Sequence, residues 1–204
     1  MRRIALVLTL VLLVSGLQAN TLLVMGDSLS AGYGMSPEET WVALMEERLQ
    51  DNDQDIQVVN ASISGETSMG GLQRLPALLE RHQPDIVLLE LGANDGLRGF
   101  PIAGIQENLA SMIEISHQAN ADVILLGIRI PPNFGSRYTE PFFNQFADLA
   151  EQYDLLYLPF LLDGVAEYHS LMQADGLHPK AEAQPIILEN VWPLVEKALG
   201  QRSP

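Results

Sequence analysis

The amino-acid sequence predicts an α/β protein in which a mostly parallel sheet of five strands has helices on both faces. The first observation is that short apolar segments alternate with longer segments whose apolar residues recur at helical spacing. Such alternation is typical of strands that run parallel. The second observation is that 204 residues, 47% of them hydrophobic, suit one domain with a full core. No repeat, low-complexity tract or linker divides the chain.

The apolar segments locate the strands. We predict strands at residues 21–25, 56–60, 85–90, 123–126 and 155–158. The third contains Ile86-Val87-Leu88-Leu89, a continuous apolar run of the kind found in central strands that are buried on both faces. The order of the strands in the sheet does not follow from this pattern.

The amphipathic segments locate the helices. We predict helices at residues 41–50, 72–81, 104–118, 141–153 and 182–199. The first carries its apolar side chains on one face, at Trp41, Leu44, Met45 and Leu49. Pro185 and Pro193 fall within the last helix, and because proline disrupts a helix interior they leave its bounds poorly determined.

Residues 1–19 have the pattern of an export signal. Arg2 and Arg3 precede the apolar stretch 4–14, and Ala19 ends a cleavage site that is imperfect because Leu17 is large for its position. The apolar stretch is shorter than the roughly 20 residues that a spanning helix needs. The sequence therefore predicts a mature domain of residues 20–204, exported to the periplasm or the medium, without stable membrane insertion.

Composition excludes several classes of function. The chain has 26 Asp and Glu against 11 Lys and Arg, a formal net charge of −15. An acidic surface of this size disfavours nucleic acid and anionic membranes as partners. The absence of cysteine rules out disulfides, thiolate zinc sites and a cysteine nucleophile. We expect a monomer that acts on a small molecule.

A candidate nucleophile directly follows the first predicted strand. The sequence Gly-Asp-Ser-Leu-Ser occupies residues 26–30. The carboxyl ends of parallel strands border the crevice in which open α/β sheets bind ligands, and Ser28 would lie there. A serine hydroxyl at its own pKa is a poor nucleophile, so Ser28 needs a base.

The segment Asp-Gly-Leu-His-Pro at 175–179 offers that base. Asp175 and His178 are three residues apart on a glycine-containing loop, so their side chains can meet. Asp175 would accept the Nδ1 proton of His178, and Nε2 would take the proton of Ser28. The spacing of His169 and His178 fits no strong metal-ligand motif. We therefore expect neither a metal nor another cofactor.

Two further loops offer hydrogen-bond donors. The backbone N–H of Gly65 follows the second strand and the side-chain amide of Asn94 follows the third. With the N–H of Ser28 they would supply three donors to a developing oxyanion. We expect Asp27 and Asp95 to hold these loops by accepting backbone hydrogen bonds, instead of taking part in the chemistry.

Together these segments resemble a known family. The motifs match, in order and separation, the four sequence blocks of the SGNH, or GDSL, hydrolases: Gly-Asp-Ser-Leu-Ser at 26–30, Gly65, Gly-x-Asn-Asp at 92–95 and Asp-x-x-His-Pro at 175–179. The resemblance covers essentially the whole mature chain. It is closest to the exported bacterial thioesterase I, lysophospholipase and arylesterase branch, which residues 59–65 and 172–176 particularly resemble.

The resemblance implies a flavodoxin-like three-layer α/β/α fold and metal-independent hydrolysis of carboxylic esters and thioesters. Carried over by matching motifs, Ser28 would be the nucleophile, His178 the base and Asp175 the residue that orients it. The oxyanion hole would consist of the Ser28 N–H, the Gly65 N–H and Asn94.

The substrate is less determined. Residues 128–138 follow the fourth strand, where the loop of the family borders the acyl groove. A fatty acyl chain, including that of a lysophospholipid, would contact five candidate substrate-binding residues: Leu97, Pro131, Phe134, Tyr138 and Phe160. Each buried methylene would contribute up to about 0.8 kcal/mol, so preference for chain length should be graded. The alternative is that these side chains only pack the loops.

Two other functions remain open. An exported polysaccharide O-deacetylase would use the same catalytic residues on a short acyl group, although the aliphatic loop after the fourth strand offers few polar or stacking side chains for a sugar. A periplasmic lipid-binding protein would bind without turnover, and a covalent adduct on Ser28 would oppose that interpretation.

Overall fold

The computed structural model of the protein describes residues 20–52 and 56–202, so the export signal predicted at residues 1–19 lies outside the described residues. The five strands are β1 (Asn20–Gly26), β2 (Ile56–Asn60), β3 (Ile86–Glu90), β4 (Asp122–Leu126) and β5 (Leu156–Leu158). The α-helices of the described residues are α1 (Ser28–Ala31), α2 (Trp41–Asp51), α3 (Ser68–His82), α4 (Ala93–Leu97), α5 (Ile102–Gln118), α6 (Ser136–Tyr153) and α7 (Gln184–Arg202).

The strands form one parallel sheet in the order β2-β1-β3-β4-β5. β1 therefore lies between β2 and β3, and its last residue, Gly26, pairs in register with Glu90, the last residue of β3. Because all the strands point the same way, the segments that follow β1, β2 and β3 begin side by side at one edge. The predicted α/β class and parallel sheet are confirmed.

Helices cover both faces of this sheet, which gives the three layers. Successive residues of β1 point to opposite faces, so Leu22 and Val24 pack in one core while Leu23 and Met25 pack in the other. The first core includes Trp41 of α2 and lies against α2 and α7. The second core lies against α3, α5 and α6. The candidate active site lies at the carboxyl edge of the sheet, where the loops that lead to the helices of both faces begin.

Several helix boundaries differ from the predictions, most of all the starts of α3 and α6. α3 begins at Ser68, because the Thr67 hydroxyl accepts a 3.1 Å hydrogen bond from the N–H of Gly70 and caps a first turn that contains two glycines. α6 begins at Ser136 and contains Pro141. α7 contains both of its prolines; Pro185 is in the first turn, where its missing N–H costs no helical hydrogen bond.

Two short helices stand where only loops are predicted, and both matter for the site. α1 starts immediately after β1, and its first turn is capped by Asp27 Oδ1, which accepts the N–H of Leu29 at 3.0 Å. α4 starts after Gly92, which has a φ of 120°, a conformation that favours glycine. In the described part of the chain, no helix is both long and apolar enough to cross a membrane.

Candidate active site

Ser28, the first residue of α1, stands at the carboxyl end of β1. His178 comes from the loop between β5 and α7, which is 150 residues away in sequence from Ser28. The His178 Nε2 atom lies 2.9 Å from the Ser28 Oγ atom, and the His178 Nδ1 atom lies 2.7 Å from Asp175 Oδ2. Both separations are within hydrogen-bonding range. The three side chains therefore form a continuous chain from carboxylate to imidazole to hydroxyl.

The loop that carries His178 is closed by Asp175 itself. Asp175 Oδ1 accepts the backbone N–H groups of Leu177 at 2.9 Å and of His178 at 3.0 Å. Burial raises the pKa of Asp175, but the hydrogen bonds from the His178 side chain and from these N–H groups outweigh it, and the pKa is lowered to about 2. Asp175 is therefore ionised at neutral pH and can stabilise a positive charge on His178.

A tyrosine ring covers one side of the imidazole. The ring centroids of Tyr33 and His178 are 4.4 Å apart, and the Tyr33 ring is half exposed to solvent. The side-chain amide of Gln173 joins the two loops, because it donates to the carbonyl oxygens of Tyr33 at 2.7 Å and of Pro179 at 3.0 Å. The imidazole is thus held by ring packing as well as by Asp175.

Asn94 lies in the first turn of α4, beside the nucleophile. Its Nδ2 atom donates a 3.0 Å hydrogen bond to Asp27 Oδ2, and this uses one of the two amide hydrogens. The residue also lines the cavity next to Ser28. The second amide hydrogen of Asn94 is therefore available for a group bound there.

The two backbone N–H groups predicted for the oxyanion hole, those of Ser28 and Gly65, have different surroundings. Ser28 is the first residue of α1, so its N–H has no partner within that helix. Gly65 follows β2 in a turn with a φ of 83°, a region that favours glycine, and its carbonyl oxygen accepts a 3.3 Å hydrogen bond from Arg98. Gly65 is not among the residues that line the cavity next to Ser28.

Asp95 and Asp27 accept backbone hydrogen bonds in the segments that follow β3 and β1, as expected. Asp95 is buried and accepts both the N–H of Ser68 at 2.8 Å and its hydroxyl at 2.7 Å, which ties α4 to the start of α3. The Asn108 amide donates to the same hydroxyl at 2.9 Å. The backbone hydrogen bonds predicted for the two aspartates are therefore present, and that of Asp27 comes from the N–H of Leu29.

Glu90 is a residue that the sequence reasoning missed. It is fully buried, and its Oε2 atom accepts the Ser30 hydroxyl at 2.7 Å and the N–H of Asp27 at 3.2 Å. Burial, followed by repulsion from Asp27, raises the pKa of Glu90 well above its ordinary value. An acidic residue at the end of an otherwise apolar central strand is the sequence signal that would have indicated it.

Burial also raises the pKa of Asp27, which lies next to Glu90. Burial raises its pKa to about 6, against the lowering effects of the Leu29 N–H, the Asn94 amide and the charge of His178. Two carboxyl groups, those of Asp27 and Glu90, thus lie close to the segment that carries Ser28, and burial raises the pKa of both.

A cavity of about 210 Å³ opens beside Ser28. Apart from Ser28, Asn94 and His178, its walls are mostly apolar, and they come from the segments after β1, β3, β4 and β5: Leu29, Ala93, Leu97, Ile128, Arg129, Ile130, Pro131, Phe160, Leu161, Leu162 and Leu177. Leu97, Pro131 and Phe160, three of the candidate substrate-binding residues, are among them. An adjoining cavity of about 310 Å³ shares six wall residues with the first: Arg129, Ile130, Pro131, Phe160, Leu162 and Leu177.

The structure does not bring the other two candidates, Phe134 and Tyr138, into either cavity. The Tyr138 hydroxyl donates a 2.6 Å hydrogen bond to the Phe100 carbonyl oxygen, and its ring stacks on Phe142 with centroids 6.3 Å apart. Phe134 is partly exposed. Tyr138 is placed elsewhere because α6 begins at Ser136, five residues earlier than predicted, and takes Tyr138 into its first turn, whereas Phe134 belongs to the single helical turn at 132–134 that precedes α6.

Within residues 20–52 and 56–202, no group of three or more His, Cys, Asp or Glu side chains is placed to hold a metal ion.

The fold and this geometry define the class of protein, and comparison with known proteins agrees. The model of the GDSL-like lipase/acylhydrolase family matches residues 24–185. The chain belongs to that family.

Particular relatives are similar over most of their length. The chain is 52% identical to esterase TesA of Pseudomonas aeruginosa over 192 residues, which are 94% of this chain and 96% of the relative. It is 48% identical over 171 residues to thioesterase 1/protease 1/lysophospholipase L1 of Escherichia coli K12, covering 84% of this chain and 81% of the relative. The crystal structure of the psychrotrophic esterase EstA from Pseudoalteromonas, inhibited by monoethylphosphonate, superposes with a TM-score of 0.85 at 46% identity and covers 89% of this chain and 99% of that one.

Proposed function

We propose that the protein hydrolyses carboxylic esters and thioesters, including aryl esters and lysophospholipids, through an acyl-Ser28 intermediate. The observation that carries this proposal is the 2.9 Å separation of Ser28 Oγ and His178 Nε2, with Asp175 placed 2.7 Å from the other imidazole nitrogen. Relatives named esterase and thioesterase are 52% and 48% identical in sequence to this chain over most of its length, and they support the same reaction class.

The geometry suits acyl transfer in two halves. In the first, the Ser28 oxygen attacks the carbonyl carbon while His178 Nε2 takes the hydroxyl proton. The tetrahedral oxyanion receives hydrogen bonds from the Ser28 N–H, the Gly65 N–H and the free amide hydrogen of Asn94. When the intermediate collapses, the C–O or C–S bond to the leaving group breaks, and the alcohol or thiol departs with the proton from His178.

In the second half, water replaces the alcohol. His178 removes a proton from a water molecule, whose oxygen attacks the acyl-Ser28 carbonyl. The second tetrahedral intermediate uses the same three donors. Its collapse breaks the bond to Ser28, returns the proton to the Ser28 oxygen and releases the carboxylic acid. The ionised Asp175 stabilises the imidazolium in both halves.

The acyl group would occupy the apolar cavity beside Ser28. Leu97, Pro131 and Phe160 lie on its walls, so each added methylene of the acyl chain exchanges water for apolar contacts. We infer a preference that increases gradually with chain length until the cavity is full.

The cellular setting is part of the proposal. We propose that residues 1–19 are a cleaved signal and that residues 20–204 act in the periplasm or medium as a monomer. Acyl-CoA is confined to the cytoplasm, so an ester of lipid origin is the physiological substrate. The mass of the protein purified after export tests this directly: an N-terminus at Asn20 is expected, and an uncleaved chain would contradict it.

The reaction itself is tested with p-nitrophenyl esters from acetyl to palmitoyl, using the mature protein and its Ser28→Ala variant. We expect hydrolysis that rises toward medium or long chains and disappears in the variant. Activity confined to the acetyl ester would favour the deacetylase alternative. Hydrolysis that persists in Ser28→Ala would overturn the role of Ser28.

A further inference from the structure

The large apolar side chains that are exposed in the described part of the protein are gathered at one edge. They are Tyr33, Ile63, Met69, Phe100, Phe134 and Tyr168, and we call this set the apolar rim. Isolated exposed apolar residues are ordinary on any protein surface, but they are normally scattered. Here every one of the six lies in a segment that follows the carboxyl end of a strand, and each of the five strands contributes at least one.

Local contacts connect the apolar rim to the candidate active site. The Tyr33 ring packs on His178, with centroids 4.4 Å apart. The N–H of Ile63 donates a 3.1 Å hydrogen bond to the carbonyl oxygen of Gly26, two residues before Ser28. Phe100 follows α4, the helix that carries Asn94. The apolar rim therefore lies at the same edge of the sheet as the candidate active site, and Tyr33 contacts that site directly.

The charged residues near the apolar rim indicate which kind of surface it can bind. The segments at this edge carry four cationic residues, Arg98, Arg129, Arg137 and Lys180, together with exposed acids such as Glu38 and Glu167. The edge thus carries both signs, with acids in excess as in the whole chain, which carries −15. An anionic surface would be repelled by the molecule, while head groups that carry both a phosphate and an ammonium meet partners of both signs.

A second copy of this chain is a poorer occupant. Two copies would approach with like net charges, and burying the rim between them would close the entrance to the cavity. A lipid surface leaves the cavity open toward the acyl chains that the proposed reaction needs.

We propose that the apolar rim docks the candidate active site onto the surface of lipid aggregates with zwitterionic phosphate–ammonium head groups. The rim side chains enter the interface, and a lipid ester passes from the aggregate into the cavity with little exposure to water. This inference rests on the proposed ester hydrolysis for its purpose, but the docking itself does not require turnover.

Docking is measured with the Ser28→Ala protein, so that hydrolysis does not change the vesicles. Binding to phosphatidylcholine vesicles is determined by flotation, and compared with vesicles in which about a third of the lipid is anionic phosphatidylglycerol. The test variant adds Ile63→Ser, Met69→Ser and Tyr168→Ser, three rim residues outside the cavity walls. The control adds Ala77→Ser, at an exposed position in the middle of α3, away from the edge.

We expect binding to phosphatidylcholine that falls about tenfold or more in the triple rim variant, is unchanged in the control and is weaker on the anionic vesicles. The same triple substitution in the chain with Ser28 intact should leave hydrolysis of a soluble, monomeric p-nitrophenyl ester within about twofold, which also shows that the variant folds. Absence of vesicle binding, or equal binding by the triple rim variant, would overturn the docking. Equal or tighter binding to anionic vesicles would overturn the zwitterionic preference.

Two outcomes separate docking from neighbouring hypotheses. If sedimentation shows a dimer that the rim substitutions dissociate, the partner is a second copy and the proposal is wrong. If the protein with Ser28 intact hydrolyses no ester but the Ser28→Ala protein binds vesicles through the rim, the proposed function fails while the docking surface stands.

Discussion

The side-chain amide of Asn94 donates a 3.0 Å hydrogen bond to the carboxyl group of Asp27, the residue that precedes the candidate nucleophile. The other oxygen of Asp27 accepts the N–H of Leu29 at 3.0 Å and so caps the first turn of α1. The carboxyl group of Asp27 thus caps the helix that carries Ser28 and also orients the side-chain amide of Asn94. This relationship connects two segments that are 67 residues apart in sequence.

Replacing Asn94 tests the oxyanion donor. In Asn94→Ala the tetrahedral intermediate loses one hydrogen bond that the ground state scarcely uses, so kcat should fall by about 10²–10³-fold with a much smaller change in KM. Steady-state kinetics on p-nitrophenyl butyrate give both constants. Asn144→Ala, at an exposed position of α6, is the matched control and should retain the parent kcat. A loss that appears only in KM would assign Asn94 to substrate binding.

Replacing Asp175 tests the orientation of the imidazole. Asp175→Asn keeps the size of the side chain but no longer fixes the His178 tautomer or stabilises its positive charge, and we expect kcat to fall by about 10³–10⁴-fold. Asp163→Asn, on the loop after β5, supplies a control of the same chemistry. If Asp175→Asn retained more than a tenth of the activity, another group would have to orient His178.

The raised pKa of Asp27 predicts how stability depends on pH. Folded Asp27 has a pKa of about 6 against 3.8 for an unperturbed aspartate, with burial as the main cause. Between these values the folded protein holds a proton that the unfolded chain has released, so the free energy of unfolding should fall as pH rises, by roughly 1–3 kcal/mol.

Urea denaturation at pH 4, 5, 6 and 7 measures this dependence, and Asp27→Asn should make it shallower because one of the two buried carboxyl groups with a raised pKa is gone, while Glu90 keeps a contribution of the same sign. Asp175 has a lowered pKa of about 2, so its contribution is present above pH 4 and is lost only as the pH falls further, outside this window. An unaltered slope in Asp27→Asn would show that other groups carry the effect.

A close backbone approach at the end of β4 predicts a stability effect at Gly127. A Cβ atom at this position would lie 2.3 Å from the Pro159 carbonyl oxygen, and backbone cannot move aside as a flexible side chain can. Gly127→Ala should lower the free energy of unfolding by about 1–3 kcal/mol. Gly104→Ala is the matched control, since its Cβ would meet nothing within 4 Å and α5 would gain about 0.5–1 kcal/mol from the better helix former. Thermal or urea unfolding of both variants distinguishes the two results.

Local sequence patterns were sufficient for the class of fold and for the positions of its elements. A buried strand needs a run of apolar residues and an amphipathic helix needs them at a fixed spacing, so the five strands and the long helices could be located within a few residues. The starts of α3 and α6 were misplaced, because the first turn of α3 has glycines where apolar periodicity is absent and Pro141 falls inside α6.

The motif residues of the candidate site could be predicted, because each lies in a short segment with a recognisable sequence. These residues are Ser28, Asn94, Asp175 and His178. The walls of the cavity could not be derived in the same way. Phe134 and Tyr138 carry the right side chains for an acyl chain, but neither lines the cavities beside Ser28, and the start of α6 at Ser136 decides the place of Tyr138. Exposure of the apolar rim likewise becomes visible only when the five strand ends meet.

By itself, the sequence determined the alternation of strands and helices, the acidic charge, the absence of cysteine and the identity of the motifs, because each of these depends on composition or on neighbours along the chain. Only the tertiary structure decided the strand order β2-β1-β3-β4-β5 and the contacts that follow from it. That order places Glu90 beside Gly26, so that a buried carboxyl group from β3 accepts the N–H of Asp27 from a position 63 residues away. Contacts over such distances depend on which strands are neighbours, and no local pattern specifies that.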